Sequence, residues 1–380
     1  MSKKIPYGKQ SISKKEANLV SKILLNQKIT TGNEVDNFEN KVSRYLKVKY
    51  AASCNSGTSA LYLAMQAINI KKNDVIIMPC VNFISSYTIA KLFGARVYLA
   101  DVNKNTGQMT SEKITECIKK FKLKSVKCII VMYNGGCPVD AEKFYKLKKQ
   151  LNCFIIEDAC HAFGSKYKYK NKYIKVGSCL HSDICTFSFH PLKTITTGEG
   201  GMVTTNSKKI YDLIKVSRSL GMVRTKYPWD YDVHYKGLNF RLTDFQSYLG
   251  SLQLKRINLF LKKRKLLANR YRNELSKVKN LSLPYYDTKY VSSNHLFLIN
   301  LKKSSLREKE RFMKYMHKNN IIVQYHYIPI YKFKIFRDKY INKGAELYYK
   351  STVSLPMYFD LSLKKQKYVI KKIKSFFNNY

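Results

Sequence analysis

The sequence predicts an α/β protein with a mostly parallel central sheet, followed by a smaller α+β region. Short apolar runs alternate with longer helical patterns over much of the chain. This β-α-β alternation is typical of a parallel sheet with helices on both faces. From about residue 245 a long, Lys-rich helical stretch replaces the alternation. We therefore expect a large domain over 1–245 and a small C-terminal domain over 246–380.

Four apolar runs are predicted as buried strands of the large domain: 74–79, 95–101, 127–133 and 153–158. The segment 141–151 lies between the last two and has helical spacing. Ligands of such sheets bind beyond the carboxyl ends of the strands. Asp101, Tyr133 and Asp158 fall at those ends, so we expect a site there.

The small domain is predicted to begin with one long linking helix at about 245–278. Strand-like segments follow at 295–300 and 321–326, with a helix over 306–317 between them.

Composition narrows the class of protein. No run approaches the ~18 apolar residues of a membrane span, and the N-terminus lacks the apolar core of a signal peptide. The nine cysteines include no C-x-x-C pair, and several lie in apolar runs. This pattern indicates reduced, buried thiols and a cytoplasmic protein.

The net charge of +45 invites comparison with nucleic-acid-binding proteins. The lysines are spread along the whole chain, however, and do not cluster. We therefore expect the positive field to favour anionic small substrates, and keep a polybasic nucleic-acid binder only as the remote alternative.

One lysine has an unusual setting. Lys193 lies between a strand-like run, 183–189, and a glycine-rich turn that leads into a second strand, 200–205. A desolvated lysine has a lowered pKa and can act as a nucleophilic amine. The alternative for Lys193 is a solvated loop lysine.

Three further segments contain candidate binding or catalytic residues. Each segment can also be explained by an ordinary structural role. The segment 55–65 opens a helix with small polar residues, which suits either a phosphate or an ordinary N-cap. Asp158, with His161 close behind, follows an apolar strand and could pair with a protonated ring nitrogen or cap a helix. Asn239 and Arg241 precede an amphipathic helix, and their structural alternative is a polar loop before that helix.

Together these segments supply a reactive amine, a carboxylate and a phosphate cradle. Those are the parts that pyridoxal 5′-phosphate requires. No histidine or cysteine spacing indicates a metal site.

The chain resembles the DegT/DnrJ/EryC1/StrS family of sugar aminotransferases almost from end to end. The resemblance is carried by motifs along the chain, at 31–39, 55–61, 158–164, 188–193, 198–201 and 239–242. It implies a fold-type I, pyridoxal phosphate-dependent enzyme that works as a homodimer. Some members are dehydratases with histidine at the lysine position, so Lys193 favours transamination.

The resemblance also implies site residues. Lys193 would be the catalytic lysine, bonded to the cofactor and moving the proton of the reacting carbon. Asp158 would keep the ring nitrogen protonated, and His161 would lie near the ring oxygen. Phe83 would stack on the cofactor ring.

The same resemblance implies the remaining contacts. Thr58, Ser59 and Ser188 would bind the cofactor phosphate, and Asn239 would reach it from the other subunit. His326 would lie near the sugar nucleotide. The segment 134–137 departs from the usual family pattern, which leaves the substrate side open.

Within the family, 292–296 and 324–331 are most similar to the branch that serves pseudaminic acid biosynthesis. The expected reaction is transfer of an amino group from L-glutamate to C4 of a UDP-linked 4-keto-6-deoxy-N-acetyl hexosamine. The alternative is another nucleotide-linked 4-keto-6-deoxy sugar, of the viosamine or perosamine type.

Overall fold

A seven-stranded sheet forms the centre of the protein in the computed structural model. The structure describes residues 4–26, 28–227, 229–302, 305–334 and 341–378. The sheet consists of β1 (Tyr50–Cys54), β2 (Val75–Pro79), β3 (Arg96–Ala100), β4 (Cys128–Met132), β5 (Phe154–Asp158), β8 (Ile184–Ser188) and β9 (Gly201–Thr205). Its strand order is β1-β9-β8-β5-β4-β2-β3.

Only β9 runs against the other strands of this sheet, pairing antiparallel with both β1 and β8. All other neighbours pair in parallel. Strands β2, β4, β8 and β9 are buried along their whole length. Complete burial requires cover on both faces, as in other parallel sheets, so the predicted sheet is confirmed.

The helices pack around this sheet and around a second, smaller one. They are α1 (Lys14–Asn26), α2 (Asn33–Leu46), α3 (Gly57–Ala67), α4 (Ser85–Leu92), α5 (Ser111–Lys120), α6 (Ala141–Leu151), α7 (Lys208–Ser217), α8 (Asp244–Lys255), α9 (Ile257–Leu275), α10 (Leu306–Lys318), α11 (Lys343–Ser351) and α12 (Leu363–Asn378). Helix α3 packs on β8 and β9 and contacts α4 and α7, while α5 contacts α6. None of the helices among the described residues combines the length and apolar character that a bilayer crossing requires.

Outside this sheet, the described residues form the strands β6 (Lys166–Tyr169), β7 (Lys172–Lys175), β10 (Met222–Arg224), β11 (Tyr231–Val233), β12 (Leu281–Ser282), β13 (Tyr290–Val291), β14 (Phe297–Leu301) and β15 (Thr352–Leu355). Strands β12, β14 and β15 form the second sheet, and β13 pairs with the β6–β7 hairpin. Strands β10 and β11 form a separate pair.

The apolar side chains sort into two clusters. The larger surrounds the seven-stranded sheet, and the smaller lies between the second sheet and helices α9, α10 and α12. Helix α9 contributes Phe260 to the first cluster and Tyr271 to the second. The predicted domain limits at 245 and 246 remain a prediction, since one helix belongs to both cores.

Two of the predicted elements differ from the structure. The single linking helix is two helices, α8 and α9, separated at Arg256 (φ −97°, ψ 2°). The guanidinium of Arg256 lies 4.7 Å from the Phe260 ring centre and 2.5 Å from the Glu16 carboxylate. These tertiary contacts favour a bend that helical periodicity does not reveal.

The predicted strand 321–326 makes only isolated pairs. Ile321 pairs with Ile5 and Gln324 with Ser354, so the segment joins two different neighbours instead of following one. The N-terminal segment continues past this contact, and the carbonyl of Tyr7 accepts the N–H of Met357.

A buried lysine supports the same segment. Lys309 is fully buried, and its ammonium group lies 4.2 Å from the Tyr325 ring centre and 4.1 Å from that of Tyr349. It also donates to the carbonyl of Tyr349, near the end of α11. Burial lowers the pKa of Lys309 to about 7, although Glu310 opposes the shift.

Lys309 makes stability depend on pH. Between pH 7 and its ordinary pKa, the unfolded chain binds a proton at this lysine and the folded chain does not. The free energy of unfolding should therefore rise with pH in that window, by up to about 1.4 kcal/mol per pH unit from this group. Urea unfolding of wild type and Lys309→Met at pH 6 to 9 measures the difference; equal slopes would contradict the assignment.

Candidate active site

A cleft of about 360 Å³ opens at the carboxyl ends of the central strands. Asp158 ends β5, Ser188 ends β8, and Lys193 follows on the loop to β9; all three line the cleft. The other two strand-end candidates have structural roles. Asp101 accepts the N–H groups of Gly344 and Ala345 at the start of α11, and the Tyr133 hydroxyl donates to Glu157.

The loop that carries Lys193 is closed by its own hydrogen bonds. The N–H of Lys193 donates to the carbonyl of His190 at 2.9 Å. Further along, Phe189 and Thr197 pair through their main chains at 3.0 Å, and Gly198 adopts φ 85°, a left-handed conformation that favours glycine. These contacts fix the direction in which the lysine leaves the backbone.

Burial lowers the pKa of Lys193. Cys160 and the carboxylates of Asp158 and Glu199 each act to raise this pKa, and so oppose the effect of burial. Desolvation prevails, so at a given pH a larger fraction of Lys193 is in the neutral amine form than of a solvated lysine. A neutral amine is the nucleophilic form.

Asp158 is oriented by two donors. The hydroxyl of Ser86 donates to Oδ2 at 3.2 Å, and the N–H of Cys160 donates to Oδ1 at 3.3 Å. The carboxylate is buried yet lines the cleft. It is therefore placed to pair with a cation inside the cleft.

The start of α3 forms one end of the cleft. Ser56 caps the helix by accepting the N–H of Ser59, while the N–H groups of Gly57 and Thr58 have no acceptor within the described part of the chain. A Cβ at Gly57 would lie 2.8 Å from that of Ser188, so glycine permits the close approach. Free N–H groups at a helix start, with hydroxyls beside them, form an anion site.

The predicted phosphate ligands are not equally placed. Thr58 and Ser188 line the cleft, together with Ser56, which the sequence prediction omitted. The hydroxyl of Ser59 instead donates to Asn55 Oδ1 at 2.6 Å, inside the cap. Asn239 is exposed, and its carbonyl accepts from the Asn55 side chain at 3.4 Å, outside the cleft lining of its own chain.

Aromatic residues border the cleft above the carboxylate. Phe83 is 53% exposed and lines the cleft, with its ring 5.9 Å from that of Tyr327. The Tyr327 hydroxyl lies 2.9 Å from His161 Nε2. Because the N–H of Gly135 donates to His161 Nδ1, the proton of the neutral ring belongs on Nε2.

Three histidines that are distant in sequence, His161, His295 and His326, line one side of the cleft. We call them the histidine wall. His161 lies 4.3 Å from His295 and 6.2 Å from His326, measured between ring centres. Burial and the charge of Lys193 lower the pKa of all three, that of His326 to about 3. The wall is therefore uncharged at neutral pH.

The sequence did not identify His295 as a site residue. The atypical segment 134–137 helps to position the other two histidines of the wall. Asn134 donates to the carbonyl of His326, and Gly135 donates to His161. The segment thus joins two of the histidines. Among the described residues, no group of three His, Cys, Asp or Glu side chains could hold a metal ion.

A lysine amine, an oriented carboxylate and an anion site in one cleft of a parallel sheet define a cofactor-dependent group-transfer enzyme. Residues 10–374 match the model of the DegT/DnrJ/EryC1/StrS aminotransferase family. The chain belongs to this family.

Two similar sequences and one solved structure give the functional context. The chain is 35% identical to a UDP-4-amino-4,6-dideoxy-N-acetyl-beta-L-altrosamine transaminase of Campylobacter jejuni, over 96% of this chain and 95% of that protein. It is 30% identical to GDP-perosamine synthase of Escherichia coli O157:H7, over 99% and 100%. The solved structure of Helicobacter pylori PseC, an aminotransferase involved in the biosynthesis of pseudoaminic acid, superposes with a TM-score of 0.91 at 29% identity and covers both chains completely.

The family gives pyridoxal phosphate as the cofactor and confirms the predicted fold class. The cleft residues fit this group. The free N–H groups of Gly57 and Thr58 suit a phosphate, Asp158 suits a protonated ring nitrogen, and Lys193 supplies the amine.

The lowered pKa of Lys193 can be tested without turnover. In cofactor-free protein, Lys193 should react with an acylating reagent at lower pH than Lys208, whose pKa Asp212 raises. The reason is that only the neutral amine reacts. Peptide mapping by mass spectrometry at several pH values gives both rates. A Lys193 rate that rises only at the pH where Lys208 reacts would contradict the assignment.

Proposed function

We propose that this aminotransferase moves the amino group of L-glutamate to C4 of a UDP-linked 4-keto-6-deoxy-N-acetyl hexosamine, a step of pseudaminic acid biosynthesis. The observation that carries the chemistry is the convergence of Lys193, Asp158 and the start of α3 in one cleft. The sugar is supported by the altrosamine transaminase and PseC, which the chain matches over almost its full length.

Each cleft residue has a role in this reaction. Pyridoxal phosphate supplies an aldehyde for the donor amine and a ring that accepts the electron pair of the reacting carbon. Lys193 would hold the cofactor through its amine and, as a neutral amine, would take and return the proton of the reacting carbon. Asp158 would keep the ring nitrogen protonated.

The remaining residues would hold and orient the cofactor and the sugar nucleotide. Thr58 and Ser188 bind the phosphate with the N–H groups at the start of α3. Phe83 covers the ring face. His161 orients the Tyr327 hydroxyl, which would lie near the ring oxygen. His326 would contact the sugar nucleotide, its ring fixed by Ser354 at 2.8 Å. One cleft serves two substrates in turn, so the kinetics should be ping-pong.

The catalytic lysine has a direct test. Purified protein should be yellow, and borohydride should fix the cofactor on Lys193. Lys193→Ala should lose transamination completely, because both the covalent attachment and the proton carrier are removed. Mass spectrometry of the reduced protein and stopped-flow absorbance with glutamate measure the two effects. A colourless protein, or transamination by the variant, would overturn the proposal.

The second candidate is a perosamine-type enzyme, favoured by the 30% identity to GDP-perosamine synthase. UDP-, dTDP- and GDP-linked 4-keto-6-deoxy sugars, tested side by side with amine detection, distinguish the two. Preference for the GDP sugar would replace the first proposal. A cytoplasmic location fits either nucleotide-sugar substrate.

We also propose that the enzyme is a homodimer with shared active sites. The hairpin β10–β11 and the segment that follows it expose several large apolar side chains, among them Trp229, which is 76% exposed. An apolar patch of this kind is typical of a protein interface. Asn239 lies next to it and is exposed, as a residue that reaches into a second subunit must be in one isolated chain.

Mixing variants tests the shared site. Lys193→Ala and Asn239→Ala protomers, each with little activity, should form hybrid dimers in which one site is intact. Random mixing after dissociation should then recover about one quarter of wild-type activity, since half of the dimers are hybrids. Activity that stays at the average of the two parents would show that Asn239 does not serve the partner's site.

A further inference from the structure

The donor amino acid carries two carboxylates, yet the cleft offers few cations. Among the described residues that line it, Lys193 is the only lysine and there is no arginine. Lys193 is committed to the cofactor and to proton transfer. Within this chain, the groups left for the α-carboxylate of the donor are neutral N–H or O–H groups of the cleft and a positive charge close to its wall.

His295 has the properties of such a donor. It is only 7% exposed, but its ring lines the cleft. Its Nδ1 is buried, with no hydrogen-bond partner among the described residues. A buried N–H without an acceptor is costly, so the proton of the neutral ring belongs on Nε2, which is not among the buried, unpartnered atoms of the described residues.

A positive charge lies close to the main chain of His295. Arg264 is buried, and its guanidinium donates to the carbonyls of Asn294, His295 and Met357 at 3.2 to 3.3 Å. No carboxylate of the described residues lies within ion-pair distance of it. Since main-chain carbonyls do not neutralise the charge, Arg264 leaves a positive field at His295.

The position of His295 identifies which anion it meets. His295 packs on His161, three residues beyond Asp158, and lies within the electrostatic reach of Lys193. In the amino donor, the α-carboxylate is attached to the reacting carbon itself. In the nucleotide sugar, the diphosphate is separated from the reacting C4 by the sugar ring. The carboxylate is therefore the anion that comes close to the reaction centre.

We propose that His295 binds the α-carboxylate of the amino donor through Nε2–H, with the buried guanidinium of Arg264 supplying the positive field close to it. This subsite rests on the proposed aminotransferase function and names the donor half of it. Within this chain it is a carboxylate site with no arginine among the described residues that line the cleft.

The test uses a donor that binds but cannot complete transamination. α-Methyl-L-glutamate keeps the amine and the α-carboxylate but lacks the α-proton, so calorimetric titration of holoenzyme measures its overall affinity, including displacement of Lys193 from the cofactor, without turnover. His295→Phe keeps a flat ring against His161 and removes the N–H; it should weaken binding about 10- to 100-fold, as expected for a lost hydrogen bond to a charged group. His295→Gln keeps a donor and should weaken binding less.

Controls separate this subsite from general damage. His181→Gln alters another buried histidine, one that pairs with Tyr167 on a different part of the large core, and should leave binding unchanged. UDP should bind His295→Phe as tightly as wild type, because the proposal places only the α-carboxylate of the donor at His295. If His295→Phe does not fold, as judged by its thermal transition, the Gln variant carries the test.

The outcomes are distinct. Unchanged affinity of both His295 variants for α-methyl-L-glutamate would overturn the subsite, as would a selective loss of UDP binding. If the donor half-reaction proceeds with glutamate but no ketosugar is aminated, the proposed sugar fails while the carboxylate subsite remains supported.

Discussion

The pairing of β9 with both of its neighbours at Gly201 determines the geometry of the cleft. Gly201 lies opposite Cys54 at the end of β1 and opposite Ser188 at the end of β8. A Cβ at Gly201 would lie 2.2 Å from the Ser56 carbonyl, so this row can close only with glycine. Because of this register, the start of α3, the end of β8 and the Lys193 loop lie side by side.

Much of this cleft could be predicted because strand ends and glycine turns are local signals. Asp158 and Lys193 directly follow the pattern of buried strands, and the polar segment before α3 is a recognisable helix start. The histidine wall could not be predicted in the same way. His161 and His295 meet only because the segment before β14 packs against the turn at Gly136, where φ is 94° and a Cβ would lie 2.2 Å from Ser293 Oγ.

Other differences have the same origin. At the break between α8 and α9, Arg256 makes an ion pair with Glu16, which is distant in sequence, and the segment 321–326 pairs with two different partners. Ser59 illustrates a finer limit. A cap with two serines and an asparagine identifies the helix start, but which hydroxyl faces the ligand depends on the hydrogen bonds inside the cap. Sequence patterns locate the element; side-chain partners decide the role.

The cleft draws its walls from both apolar clusters. Lys193 and Asp158 extend from the central sheet, while Met357 belongs to the smaller core and lines the same space. A ligand in the cleft therefore ties the two cores together, and their relative motion and their melting become coupled to its concentration. Thermal-shift screening should accordingly rank nucleotide sugars and amino acids on this protein before any assay of product exists.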